Sequence, residues 1–330
     1  MTPSSFLFLT TTITGTIIAL SSTSWLYLWM GMELNLLSFV PLIASSQTLQ
    51  ETEASVKYFI IQAIGSGVML TAGILSVTHN SSDKTTELLI SFTFMMSMII
   101  KLGLAPCHQW LPHVMASIPW SMCLMLSTWQ KIGPLMMLST IAPRNSIPFV
   151  MSIAILSSLV GGMGGMNQSQ LRTLLAYSSI GHMGWMLMAM NYSSNMFILY
   201  FSIYIIITTS LMFFMLQTNL LKANPITSIY SMPISSFLML MLMMFSLGGL
   251  PPFLGFLPKW MIINSLTTGQ MFIILSALIS GSLMNLFYYF NMTFNFILSM
   301  KPLNKSKENV SMMSIVLTSA CTLTPMIMYL

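Results

Sequence analysis

The sequence predicts an all-α, polytopic membrane protein of about eleven transmembrane helices, two of them interrupted. Three observations carry this expectation. Charged residues make up 5% of the chain, against about 25% in an ordinary soluble domain. Hydrophobic residues make up 55% of its 330 positions, more apolar surface than one aqueous core hides. The apolar runs also reach the length of about 20 residues that a helix needs to span a bilayer.

Polar breaks and Pro/Gly punctuation place the spans, in order, at 4–22, 24–44, 54–78, 87–112, 119–140, 147–166, 170–190, 195–218, 232–262, 269–297 and 310–329. Connections are short, so neighbouring spans are expected to pack antiparallel. No segment is long or polar enough for a separate soluble domain, and residues 1–330 read as one transmembrane domain. The spans at 87–112 and 232–262 are the interrupted ones. LGLAP at 102–106 shares its Leu-Gly-x-x-Pro spacing with LGGLP at 247–251. Leu-Pro follows each, at 111–112 and 257–258, with one extra residue in the second copy. Lys101 precedes the first break and Lys259 ends the second. Gly and Pro in corresponding spans are the pattern of discontinuous helices in transporters built from inverted repeats.

A net charge of +5 arises from 11 basic and 6 acidic residues, scattered singly, which argues against nucleic acid as a partner. The cations set orientation. Arg172, Lys222, Lys301, Lys305 and Lys307 fall on the side of the N-terminus, and Lys84 and Arg144 on the other, so the N-terminus is expected on the positive-inside face. MTPSSFLFLT has no Lys or Arg, unlike a cleaved signal or transit peptide. Cys107, Cys123 and Cys321 are far apart, which argues against a disulfide framework or an iron–sulfur cluster. The 36 methionines suit the filling of irregular gaps between helices.

Charges inside a bilayer are costly, by roughly 2.5–3.5 kcal/mol at the centre, and usually mark ion pathways or partners. Glu33 stands about 14 Å into its span at 1.5 Å per residue, with no basic residue four positions away. A protonated, hydrogen-bonded Glu is the plainer alternative. Lys101 is roughly 20 Å from one end of its span, and Lys131 in STWQKIGPLMML is similarly central, followed by Gly133 and Pro134. Desolvation favours the neutral form of a buried lysine, which suits a proton relay; a static pair with Glu33 could serve only one of the two. Lys259 follows the second break. Lys57, close to Glu51 and Glu53, is placed to snorkel to water. His182 in SIGHMGWM and His108 beyond the first break suit either a relay or a packed hydrogen bond. GGMGG at 161–165 has no strand–turn–helix context for a dinucleotide loop, and close helix packing through small residues is the expectation. His108 and His113 have the wrong spacing for a metal pair on one helix face. Lys301, Lys305 and Lys307 read as a lipid-headgroup anchor.

WMGMELNLLSFVPL, EASVKYFIIQA, KLGLAPCHQWLP, TWQKIGP, NQSQLRTLLAYSSIGHMGW and SLGGLPPFLGFLPKW occur in this order from about residue 24 to 262. In this order and spacing they resemble the chain 2 family of mitochondrial NADH:ubiquinone oxidoreductase, respiratory complex I. That is a family of antiporter-like membrane subunits, related to cation/proton antiporters. The methionine excess agrees, because animal mitochondrial codes read an extra codon as Met. The resemblance implies two inverted five-helix repeats, at about 4–140 and 147–297, then a final helix at 310–329. It implies a proton-translocating module of the mitochondrial inner membrane. Glu33 would be its acid at the coupling end, Lys101 the ionic partner, and Lys57 a nearby modulator. Lys131 would be the central relay and Lys259 the terminal group, while His182 and His108 match positions of less settled role. No cofactor is implied in this chain; FMN, iron–sulfur clusters, NADH and ubiquinone would belong to partner subunits. Its partners would be other complex I subunits, antiporter-like and small membrane ones above all, with lipids such as cardiolipin. A stand-alone antiporter exchanging Na⁺ or K⁺ for H⁺, or a scaffold holding the membrane arm, would leave similar residues behind.

Overall fold

Each span expected to cross the membrane is built of helices where it is described, with turns at the two expected interruptions and at Thr128. The computed structural model describes residues 3–46, 48–78, 84–141, 147–217 and 234–299. The expected final helix at 310–329 lies outside these residues, as do Arg144, Lys222, Lys301, Lys305 and Lys307. The helices are α1 (Pro3–Ser21), α2 (Trp25–Ile43), α3 (Leu49–Thr78), α4 (Lys84–Leu102), α5 (Trp110–Ser117), α6 (Trp120–Ser127) and α7 (Trp129–Ile141). They continue with α8 (Ile147–Met166), α9 (Leu171–Tyr192), α10 (Ser194–Gln217), α11 (Ile234–Gly248), α12 (Phe256–Thr268) and α13 (Phe272–Ser299). Six of these (α1, α2, α3, α8, α10 and α13) are long and apolar enough to cross a membrane, by length and composition. Their outward side chains are large and apolar, such as Phe6, Leu37, Ile64, Ile206, Leu283 and Phe294, which fits a lipid solvent.

Polar hydroxyls in such helices bond inside their own backbone, as an apolar solvent requires. Thr16 donates to the Ile13 carbonyl, Ser97 to Phe94 and Ser210 to Ile207, all within 2.6–2.7 Å. The described helices cluster into two compact units. One holds residues up to Ile118 with Met125–Ile153, the other Pro119–Leu124 with the residues from Ala154 onward.

In the second unit α9 is buried around most of its circumference, from Leu171 to Ala189, which explains its polar content without a lipid face. The GGMGG stretch makes that burial possible. A Cβ on Gly161 would lie 2.5 Å from the Gly181 backbone nitrogen, and one on Gly162 would lie 2.8 Å from the Gly281 carbonyl oxygen. Small residues here let α8 approach α9 and α13 backbone to backbone, as expected.

Both interrupted spans are broken in the structure, and in the same way. After α4 the Gly103 N–H bonds to the Ile100 carbonyl at 3.2 Å and the Leu104 N–H to the Ile99 carbonyl at 3.1 Å. After α11 the Gly249 N–H reaches Ser246 at 3.2 Å and the Leu250 N–H reaches Phe245 at 3.4 Å. This pair of back-bonds around a left-handed residue is the Schellman ending of a helix, with Gly103 at φ 69° and Gly249 at φ 80°. The match corrects the repeat register. Leu-Gly-x-x-Pro spacing aligns Gly103 with Gly248, but the backbone aligns it with Gly249. One offset of 146 residues then carries Pro106 onto Pro252, Leu111 onto Leu257 and Pro112 onto Pro258, and the extra residue disappears. The same offset carries His113, not Lys101, onto Lys259.

A second correction concerns 119–140, expected as one helix. It is two, α6 and α7, parted at Thr128. The Lys131 N–H bonds back three residues, to the Thr128 carbonyl at 3.3 Å. Pro134 inside α7 has no N–H for the Gln130 carbonyl. The helical ladder is therefore irregular on both sides of Lys131.

Candidate functional site

In the first unit the α4 break brings Lys101 to the edge of a small, partly open cavity. Its side chain is 7% exposed, so the expected burial is met. The carbonyls freed by the break do not go to its ammonium, however. Gln62 of α3 donates to the Lys101 carbonyl at 3.0 Å, and the Trp110 indole of α5 donates to the Ile100 carbonyl at 3.2 Å. Polar side chains of neighbouring elements thus satisfy the break, and Lys101 is one of the residues that line the cavity.

That cavity, of about 20 Å³, is lined by Lys101 and Lys131 together with Asn35, Tyr58, Gln62 and Gln130. Lys131 on α7 is 3% exposed. Asn35 and Gln130 bond each other reciprocally, Asn35 Nδ2 to Gln130 Oε1 and Gln130 Nε2 to Asn35 Oδ1, both at 2.9 Å. The Tyr58 hydroxyl adds a longer contact to Gln130 Oε1 at 3.5 Å. None of these four neutral residues was singled out from the sequence. The available signal was a polar side chain amid an apolar run, as at Asn35 in GMELNLLSF and Gln62 in KYFIIQAIG.

Glu33 does not line this cavity. It precedes Asn35 by two residues, about 200° around the helix, and is half-buried. Its Oε2 is buried with no hydrogen-bond partner among the described residues. It lies within electrostatic reach of Lys101, but the two form no contact ion pair among the described residues. Lys57 is exposed and pairs with Glu53 one turn earlier on α3, at 2.5 Å. His108 sits in the loop after the break, half-buried, with Nδ1 3.1 Å from the Pro106 carbonyl.

The second unit holds the other candidates. Lys259 on α12 is 5% exposed, and its ammonium donates to the Gly248 carbonyl at 2.7 Å. Here the break does supply an acceptor to a buried lysine. His182 on α9 is also buried, with Nδ1 3.0 Å from the Tyr200 hydroxyl and its ring beside Tyr204 at 5.5 Å between centroids. Arg172 stands over the Trp120 ring at 5.2 Å, a cation–π contact. Among the described residues no group of His, Cys, Asp and Glu could hold a metal ion.

The profile of the NADH:quinone oxidoreductase/Mrp antiporter transmembrane family matches residues 22–285. NADH-ubiquinone oxidoreductase chain 2 of Lumbricus terrestris is 44% identical over 312 residues, covering 93% of this chain and 90% of that one. The chain belongs to this family. All seven candidates (Glu33, Lys57, Lys101, His108, Lys131, His182 and Lys259) fall inside the matched range. Solved structures agree on the fold. A chain of respiratory complex I from Thermus thermophilus superposes with a TM-score of 0.83 at 21% identity, covering 98% of this chain and 77% of that one. A chain of the Mrp complex from Dietzia sp. gives a TM-score of 0.74 at 15% identity, covering 92% and 62%.

Proposed function

We propose that the chain is a proton-translocating subunit in the membrane part of respiratory NADH:ubiquinone oxidoreductase. One observation carries the reading: two deeply buried lysines, Lys101 and Lys131, share one polar-lined cavity. Buried cations are costly in a membrane protein and mark ion pathways. Two of them facing a common space, with the Glu33 carboxylate near one, suit proton exchange with electrostatic control. In this reading Lys131 relays the proton and Lys101 tunes or passes it under the influence of Glu33. Lys259 and His182 serve the second unit, with Lys57 and His108 as outer, modulating groups. Oxidation of NADH and reduction of ubiquinone, with FMN and the iron–sulfur clusters, belong to partner subunits. Neighbouring antiporter-like and small membrane subunits and lipids such as cardiolipin complete its surroundings in the mitochondrial inner membrane. Arg172, Lys222, Lys301, Lys305 and Lys307, against Lys84 and Arg144, support a matrix-side N-terminus. The inverted five-helix repeats are supported by the two matched helix endings.

A stand-alone antiporter has the same fold, but the relatives named as chain 2 at 44% identity favour a subunit. Copurification with a large redox complex separates the two. The test of the relay is Lys131→Met and Lys101→Ala in the assembled complex. Proton translocation per NADH oxidised is expected to fall several-fold while the amount of complex is maintained. Wild-type stoichiometry in both variants would sink the relay, and loss of assembly with normal turnover in what remains would favour a scaffold.

A further inference from the structure

We infer that the Asn35–Gln130 amide pair is a positioning device that holds one water between Lys101 and Lys131. This rests on the relay reading above and assigns it two residues and a binding site. The pair is reciprocal, with both bonds at 2.9 Å, and both residues are at most 9% exposed. Each amide carries two N–H donors and one carbonyl oxygen with two lone pairs. The mutual bonds take one N–H from each. The Tyr58 contact at 3.5 Å takes the second lone pair of Gln130, which leaves one N–H on each amide and one lone pair on Asn35. Those groups belong to residues lining the same space as the two lysines. Its volume of about 20 Å³ exceeds the roughly 10–15 Å³ that a water needs, and a buried water needs two to four polar partners. Two amides and two lysine head groups supply them.

An amide does not titrate near neutral pH, so the pair cannot itself store the proton. What it can do is fix the orientation of a water that does the passing. The Lys101 ammonium gives a proton to the water oxygen as the water gives one of its own to the neutral amine of Lys131. The water is unchanged, one N–H bond breaks and one forms, and the reverse transfer is equally balanced. The link joins α2 to α7 across 95 residues of sequence. Asn35 is two residues from Glu33, and Gln130 is adjacent to Lys131. A movement of α2 driven by the charge on Glu33 would therefore reach the water through Asn35.

The test uses the assembled complex in membranes with four variants: Asn35→Leu, Gln130→Met, the exchange Asn35→Gln with Gln130→Asn, and Lys131→Met. Each single amide substitution is expected to lower proton translocation per NADH oxidised several-fold. The exchange variant keeps both amides and the total side-chain length, and is expected to recover most of the loss. Single substitutions that pump like wild type while Lys131→Met does not would overturn the positioning role and leave the relay standing. Normal pumping in Lys131→Met would remove the relay and this role with it. An exchange variant as poor as the singles would also overturn it, since packing and not the amide bridge would then be at issue. Should the single variants fail to assemble, a density map of the wild-type complex that resolves waters decides. A water within hydrogen-bond distance of both amides is expected, and none there would sink the inference.

Discussion

Three buried lysines were expected from three apolar runs, and all three are buried, yet their surroundings differ. Lys259 donates to a carbonyl of its own break, whereas the Lys101 carbonyl is capped by Gln62. Replacing Gln62 by Leu leaves that buried carbonyl unsatisfied, at a cost of about 1–3 kcal/mol. Thermal inactivation of the complex should move to lower temperature, and an unchanged profile would mean another donor takes over. Lys57→Ala is expected to leave thermal stability unaltered, because exposed pairs such as Lys57–Glu53 contribute little; a measurable fall would place that pair in a less watery setting. The lysines were legible because a charge in an apolar run is conspicuous. Asn35, Gln62 and Gln130 were not, because a neutral amide carries no such mark and its partner is set by tertiary packing. The 95 residues separating Asn35 from Gln130 leave no local spacing to read.

At the scale of the element, glycine and proline announced both breaks, but only the backbone revealed their register. The motif spacing pointed to Gly248, while the left-handed residue is Gly249, because two consecutive glycines offer the chain a choice that sequence alone does not make. The break at Thr128 was missed for a related reason, since Pro134 inside a helix signals a disturbance without locating its start. Alanine at Gly103 or Gly249 pays about 1–2 kcal/mol for the left-handed backbone. The two sites differ in what a Cβ would meet. At Gly103 it would lie 3.2 Å from the Trp110 ring, and at Gly249 it would lie 2.9 Å from the Lys259 Nζ. Both variants should therefore lose thermal stability to a similar degree, while Gly249→Ala should lower the proton-pumping rate further by displacing the ammonium from the Gly248 carbonyl. Equal pumping losses in the two would disconnect Lys259 from the function of its break.

For the molecule as a whole, the close packing at GGMGG and the apolar outer faces of α1, α3 and α13 follow from small-residue spacing and composition, and were legible; the burial of α9 was not singled out. How the buried groups divide between two compact units was not, since it depends on which helices cluster. Lys101 and Lys131 belong to the first unit, Lys259 and His182 to the second. The division makes one kinetic question sharp. If protons follow a single series of steps, a block in either unit limits the whole. The combined variant Lys131→Met with Lys259→Met should then pump no more slowly than the worse of the two singles, because residues acting as one unit are strongly non-additive. If each unit conducts independently, the fractional losses are separate contributions and the double variant falls to their sum. The serial arrangement is the expected outcome, because the half-buried Glu33 of the first unit lies within electrostatic reach of Lys101 and would serve as a single point of control. Rates of NADH-driven proton uptake in proteoliposomes containing the complex distinguish the two, and a double variant clearly slower than either single would replace the series with parallel paths.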